Sequence, residues 1–192
     1  MSFLDKVAAA LTPAASDETR LEARRKAEEL GTRERFVGVI VDHHKQIESL
    51  IDQAASATGS DARIQAMKEF ERLLTGHATA EEAVVYPEIA EFDSKSHAGM
   101  GYEEHAMTKI QVAKLEKLDS MSEEWMEKLE HIRSALQQHM YQEEDSWLPH
   151  VAEKMPAPER ERMTARFMEE FERYYGDDRA EITVQVASTN YV

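Results

Sequence analysis

Histidine and glutamate recur together in this chain at a spacing that suits metal coordination. His77 and Glu81 lie in "HATAEEAVVYP" (77–87), and His139 and Glu143 lie in "HMYQEEDSWLP" (139–149), 62 residues further on. At about 100° per residue, an i, i+4 pair shares one helix face. That face is apolar in both places: Phe70, Leu74 and Val84 around the first pair, and Trp125, Ile132, Leu136 and Trp147 around the second. A buried carboxylate without compensation costs several kcal/mol, so it must be paired, protonated or bound to metal. The nearby cations in sequence, Lys45, Arg72 and Lys109, fall mostly on outer faces. Metal is the simpler answer. Glu82 and Glu144 fall to the side of the ligand face, where each could hold the outer N–H of a ligand imidazole.

Further histidines join the pattern. "VDHHKQIESLI" sets His43 and His44 on the flanks of a stripe made by Phe36, Ile40, Ile47, Leu50 and Ile51. "GYEEHAMTKIQVAKL" sets His105 near the line of Val112 and Leu115. The order is then His, HxxxE, His, HxxxE, with 33 residues from His44 to His77 and 34 from His105 to His139. Such a pattern reads as a duplicated helical hairpin whose halves face each other across a pseudo-twofold axis. Four imidazoles and two carboxylates are too many for one tetrahedral zinc. They suit two first-row metal ions, iron foremost, bridged by carboxylate and an oxo or hydroxo group. The Glu-x-x-His pattern of ferritin-like di-iron proteins is absent.

The elements that must position these groups are helical. Ser16 is a candidate N-cap for "DETRLEARRKAEELG", closed by Gly31. Helical periodicity then covers about 32–57, 61–91, 100–119 and 122–153, separated by "ATGSD", "FDSKSHAGMG" and "LDSMSEE". Short links between long helices imply antiparallel neighbours, so the fold class is all-α, an up-down-up-down four-helix bundle. Residues 1–31 form an N-terminal helical extension, 32–155 the bundle, and 156–192 a C-terminal helix (about 158–175) with a tail. The start of the chain could add a short amphipathic helix through Phe3, Leu4, Val7 and Leu11. In the tail, "EITVQV" alternates like an edge strand or a segment draped on the surface. Pro87 and Pro149, each ten residues after a histidine, should kink or end their helices.

Composition narrows the function classes. The 192 residues carry a formal net charge of −15, which disfavours nucleic acid and anionic membrane as partners. With no cysteine, disulfides, thiolate zinc sites, iron–sulfur clusters and cysteine catalysis are excluded. No apolar run approaches the ~20 residues needed to span a bilayer. The N-terminal segment lacks the pattern of a signal peptide, so a cytoplasmic location is expected.

From about residue 36 to 153 the chain resembles the hemerythrin-like family, the HHE cation-binding domains, on "DHHKQI", "HATAEEAVVYP", "YEEH" and "HMYQEEDSWLP". The resemblance implies two iron ions held by His44, His77, Glu81, His105, His139 and Glu143, with Glu81 and Glu143 bridging. Apolar residues at +3, +6 and +7 from the family's first histidine point to His44, through Ile47, Leu50 and Ile51. Strict repetition at 62 residues points instead to His43. The family's oxygen carriers have HxxxH on the third helix and HxxxxD on the fourth. Here Gly101 stands four residues before His105, and the better-aimed acid on the fourth helix is Glu143. One histidine is therefore missing, which leaves room for water, peroxide or a donor such as Glu104. His97, His131 and His150 read as solvated, and Tyr86, Tyr141 and Trp147 as packing groups near the site.

Such a site implies a protein that binds or senses O2 or reactive oxygen or nitrogen species. The alternatives are a di-iron oxidoreductase that decomposes peroxide or activates O2, or an iron-storing or iron-sensing protein. O2, hydrogen peroxide or nitric oxide would be the small ligand, and the chain would be a monomer or homodimer. No catalytic residue is assigned, and one fold hosts all three functions.

Overall fold

Helix formation begins at Ser16, whose hydroxyl accepts from the Thr19 amide and caps α1 (Asp17–Gly31). In this computed structural model, which describes the backbone of residues 15–188 and side chains to residue 176, α2 (Arg35–Ser56) folds back along α1. Small residues permit the close return: a Cβ on Gly31 would lie 2.8 Å from the Gly38 Cα. No described glycine has a positive φ, so Gly31 serves close approach and not a left-handed cap. Ala23 and Ala27 complete the buried seam of α1.

The next two elements form one rod. It comprises α3 (Ser60–Ala80), a π-helical turn (Glu81–Val85) and α4 (Tyr86–Phe92). After Asp93 and Ser94, α5 (Lys95–Leu115) runs back. The second rod repeats the first: α6 (Glu123–Gln142), a π turn (Glu143–Trp147) and α7 (Leu148–Lys154). Together with α2 these make an all-α, up-down-up-down bundle. α8 (Ala157–Ser188) packs along α3 and the first π turn. "EITVQV" therefore lies in helical backbone and not in a strand. The expected helix through Phe3, Leu4, Val7 and Leu11 lies outside the described residues.

The core follows the apolar stripes. Phe36, Ile40, Ile47 and Ile51 of α2 meet Phe70 and Leu74 of α3 and Leu129, Ile132 and Leu136 of α6. Each such burial contributes about 1.5–3 kcal/mol of transfer free energy. Among the described residues, no helix is long and apolar enough to cross a membrane.

Neither proline ends its rod. In each, a turn of wider pitch ends two residues before the proline: the Tyr86 amide donates to the Glu81 carbonyl, and the Leu148 amide to the Glu143 carbonyl. This i to i−5 bonding carries each helix past the missing proline N–H. Helix α5 also starts earlier than its glycines suggest, because the Ser94 hydroxyl accepts from the Ser96 amide at its N-terminus.

Candidate metal centre

Each π turn begins on an inward-pointing glutamate, one helical turn beyond its histidine. The first rod thus presents His77 and Glu81, and the second presents His139 and Glu143. Helix α2 adds His44 and α5 adds His105, and all six side chains are buried. Glu81 Oε2 lies 3.2 Å from His77 Nε2 and 3.5 Å from His105 Nε2. Glu143 mirrors this, with Oε1 at 3.5 Å from His139 Nε2 and Oε2 at 3.2 Å from His44 Nε2. Each carboxylate therefore spans its own histidine and one from another helix.

Two donor groups are close enough to hold an ion each: His44, His77 and Glu81, and Glu81, His105 and His139, with the donor atoms in each set within 4.8 Å of one another. Glu81 belongs to both. Both Glu81 oxygens, Glu143 Oε2 and His44 Nε2 are buried yet make no hydrogen bond. Unsatisfied buried acceptors of this kind cost free energy that a bound cation would recover.

Three of the four outer nitrogens are held, while His77 Nδ1 is buried without a hydrogen-bond partner. His44 Nδ1 is 2.7 Å from Glu144 Oε1, His105 Nδ1 is 3.1 Å from Glu82 Oε1, and His139 Nδ1 is 2.8 Å from Glu104 Oε2. These contacts orient the imidazoles and turn each Nε2 toward the centre, as carboxylates behind metal-bound histidines do. Glu104 thus stands behind an imidazole and not in the gap at Gly101. Glu144 is also more buried than its helix position suggests, because α1 covers that flank and sends Arg24 to it, Nε 2.7 Å from Glu144 Oε2.

His43 turns away. Its ring packs at a tilt of 33° against Phe171 of α8 with centroids 4.2 Å apart, and its Nδ1 has no hydrogen-bond partner. Burial, with His44 adding to it, lowers its pKa to about 4. The structure brings His44, and not His43, into the cluster.

Electrostatics divide the two carboxylates. Burial, followed by the charges of Glu143 and Glu82, raises the Glu81 pKa well above its ordinary value. Burial would raise Glu143 as well, but His139, His44 and His105 outweigh it and hold Glu143 low. His44 is raised to about 9, since Glu143 and Glu144 outweigh its burial.

Tyr86 does more than fill space. Its hydroxyl lies 2.9 Å from His105 Nε2 and 3.3 Å from His139 Nε2, and donates to Glu143 Oε1 at 3.2 Å. Gly101 makes this possible: a Cβ there would stand 2.7 Å from Tyr86 Cζ. The gap left on α5 by the missing histidine is thus filled by a phenol from the first rod. Sequence reasoning placed Gly101 and Tyr86 separately, and only the packing couples them.

Two of the remaining histidines are not simply solvated. His97 and His150 each place Nδ1 2.6 Å from an oxygen of Asp93, and His97 stacks on Trp147 at 5.4 Å. His131 is exposed, as expected.

Comparison with known proteins agrees with this arrangement. The family model described as the hemerythrin HHE cation binding domain matches residues 35–151, more than half of the chain. An uncharacterised hemerythrin-like protein of Schizosaccharomyces pombe is 24% identical over 136 residues, covering 69% of this chain and 67% of its own length. No solved structure matches. With helical rods, paired His–Glu turns and a matching family model all in agreement, the chain belongs to the hemerythrin HHE cation-binding family.

Proposed function

We propose that the protein holds two iron ions between its rods and uses them to bind or sense O2 or reactive oxygen or nitrogen species. His44, His77 and Glu81 would serve one ion, and His105, His139 and Glu143 the other, with Glu81 and Glu143 spanning both. The observation that carries this reading is the set of buried donor atoms at the bundle centre that no hydrogen bond satisfies. Mixed imidazole and carboxylate donors suit iron and not magnesium, which prefers oxygen alone. Bound iron would supply a reducing centre with affinity for O2, peroxide or nitric oxide.

The protein's own groups shape what happens there. The buried apolar shell, with Phe70, Val84, Leu136 and Trp147, limits water at the site. Glu82, Glu104 and Glu144 hold three imidazoles in orientation. Burial, reinforced by Glu143 and Glu81, raises the Tyr86 pKa, so its hydroxyl keeps its proton and presents it at the centre. A small oxygen ligand arriving beside it meets a hydrogen-bond donor.

That hydroxyl also supports a second reading, a peroxide-decomposing oxidoreductase, because a phenol held beside the donor cluster could supply a proton to peroxide there. Metal analysis of anaerobically purified protein, with absorption spectra after air and then peroxide, tests the main reading. Two equivalents of iron and a spectrum that responds to air are expected; under one equivalent of transition metal after careful loading would overturn it. Sustained O2 release from peroxide, lost in Glu143→Ala and reduced in Tyr86→Phe, would select the oxidoreductase.

A further inference from the structure

Behind His44 lies a chain of charges that leaves the bundle. His44 Nδ1 meets Glu144 Oε1, and the other oxygen of Glu144 accepts from Arg24 Nε at 2.7 Å. Arg24 Nη1 in turn donates to Glu48 Oε2 of α2 at 3.0 Å. Arg24 belongs to α1, which precedes the segment matched by the family model. The other carboxylates are served differently. Glu82 has Lys109 at 2.7 Å, a lysine that is 45% exposed, and among the described contacts no arginine or lysine reaches Glu104. Arg24, at 16% exposure, is the shielded cation of the set, and its partner Glu144 is 2% exposed.

Helix α1 is built to deliver this residue. The Gly31–Gly38 contact brings α1 tight against α2, and Ala23 and Ala27 form its buried face. Its N-terminal end is pinned to α6, since the Ala15 amide donates to Gln138 Oε1 and Arg20 donates to Gln137 Oε1. Fixed at both ends, α1 cannot slide without moving Arg24.

We propose that Arg24 is a positioning residue through which the N-terminal helix sets the redox poise of the metal centre, an inference that rests on the metal-binding reading above. A carboxylate that accepts from an imidazole N–H raises the electron donation of that ligand. Arg24 draws on the same carboxylate, so Glu144 pulls less strongly on His44. Its positive charge, with little water to screen it, also opposes further positive charge at the centre. Both effects favour the reduced state. Docked α1 keeps the centre easier to reduce; displaced α1 makes it easier to oxidise.

The experiment uses the full chain in three forms: unaltered, Arg24→Gln and Arg24→Lys. In iron-loaded protein, a spectroelectrochemical titration should give a lower midpoint for Arg24→Gln. At fixed potential, the ferric-to-ferrous ratio should rise roughly tenfold, the lower end of the effect that partners behind a ligand imidazole have on metal affinity. Arg24→Lys keeps the charge and should restore most of the shift. In metal-free protein, the His44 Nδ1–H resonance should move downfield in Arg24→Gln, as Glu144 becomes the stronger acceptor. Failure of the unaltered protein to take up transition metal would sink the metal-binding reading and with it the redox role, leaving the resonance to report the relay alone. Full iron occupancy with midpoint and resonance unmoved by Arg24→Gln would overturn the role of Arg24 while the metal site stands. Equal shifts in Arg24→Gln and Arg24→Lys would also overturn it, since they would mark a packing effect and not a charge.

Discussion

The two π turns share a backbone and a histidine–carboxylate frame, and differ in the residues packed around it. Both start on a glutamate one turn after a histidine, and both end before a proline. Around Glu81, neither carboxylate oxygen makes a hydrogen bond, and the neighbouring Glu82 faces the exposed Lys109. Around Glu143, one oxygen accepts from Tyr86, and the neighbouring Glu144 is buried between His44 and Arg24. Tyr86 itself opens α4 just after the first turn, and its counterpart 62 residues on is Leu148, the first residue of α7. The repeated frame positions the donor atoms, yet the charges around it act unequally on the two carboxylates. Without metal, burial pushes the Glu81 pKa up, while His139, His44 and His105 outweigh burial and hold Glu143 low.

The largest effect should treat the two turns alike. Ferrous iron at about a thousandfold excess over its Kd should stabilise the fold by about 4 kcal/mol through linkage, and magnesium should do little. Glu81→Ala and Glu143→Ala should each remove most of that gain, because each carboxylate spans histidines from two helices. Calorimetry with and without iron measures it. A variant of one turn that kept the full gain would break the symmetry of the frame.

In metal-free protein the same substitutions should part company. Glu143 is held by Tyr86 and by histidines, so Glu143→Ala should destabilise by about 3 kcal/mol, as removing one partner of a buried charged network does. Glu81 has unsatisfied oxygens, so its loss removes a cost along with a contact, and the change should stay under about 1 kcal/mol. Denaturant titration in chelator decides this, and equal losses would refute the assigned asymmetry.

A smaller effect tests why Tyr86 sits where it does. Gly101→Ala would ordinarily strengthen a helix, but here its Cβ meets the Tyr86 ring, and the overpacking should cost about 2 kcal/mol. Adding Tyr86→Leu, the residue type at the equivalent place in the other rod, should recover much of that cost. A double-mutant cycle with no coupling would show that Gly101 and Tyr86 are independent.

These contrasts also mark how far the sequence could be read. Helix count, antiparallel order and the inward aim of His77, Glu81, His139 and Glu143 follow from local periodicity, which a helix expresses directly. His44 over His43 needed the family's apolar spacing, because both lie on the flanks of one stripe. Local patterns could not reveal Arg24 behind Glu144, 120 residues apart, or Tyr86 beside Gly101, since those contacts exist only once the rods pack. The prolines do not end their helices for a related reason: the wide turn that carries the chain past a missing N–H has no composition of its own.

The smallest effect lies away from both turns and sharpens any pH comparison between them. Glu71 of α3 has its pKa raised from 4.5 to about 7, first by burial and then by Glu116 of the segment that follows α5. The folded state therefore binds this proton more tightly than the unfolded chain. Its contribution to stability is fully present below pH 4.5 and is lost as pH rises through about 7. Because Glu71 is only half-buried, solvent screening should hold the loss under about 1 kcal/mol. Glu71→Gln cannot ionise, so its melting temperature should decline less than that of the unaltered protein between pH 5 and about 8. Identical declines in metal-free samples would assign the slope elsewhere. A reduced slope would supply the background against which the histidines and carboxylates of the two turns can be compared.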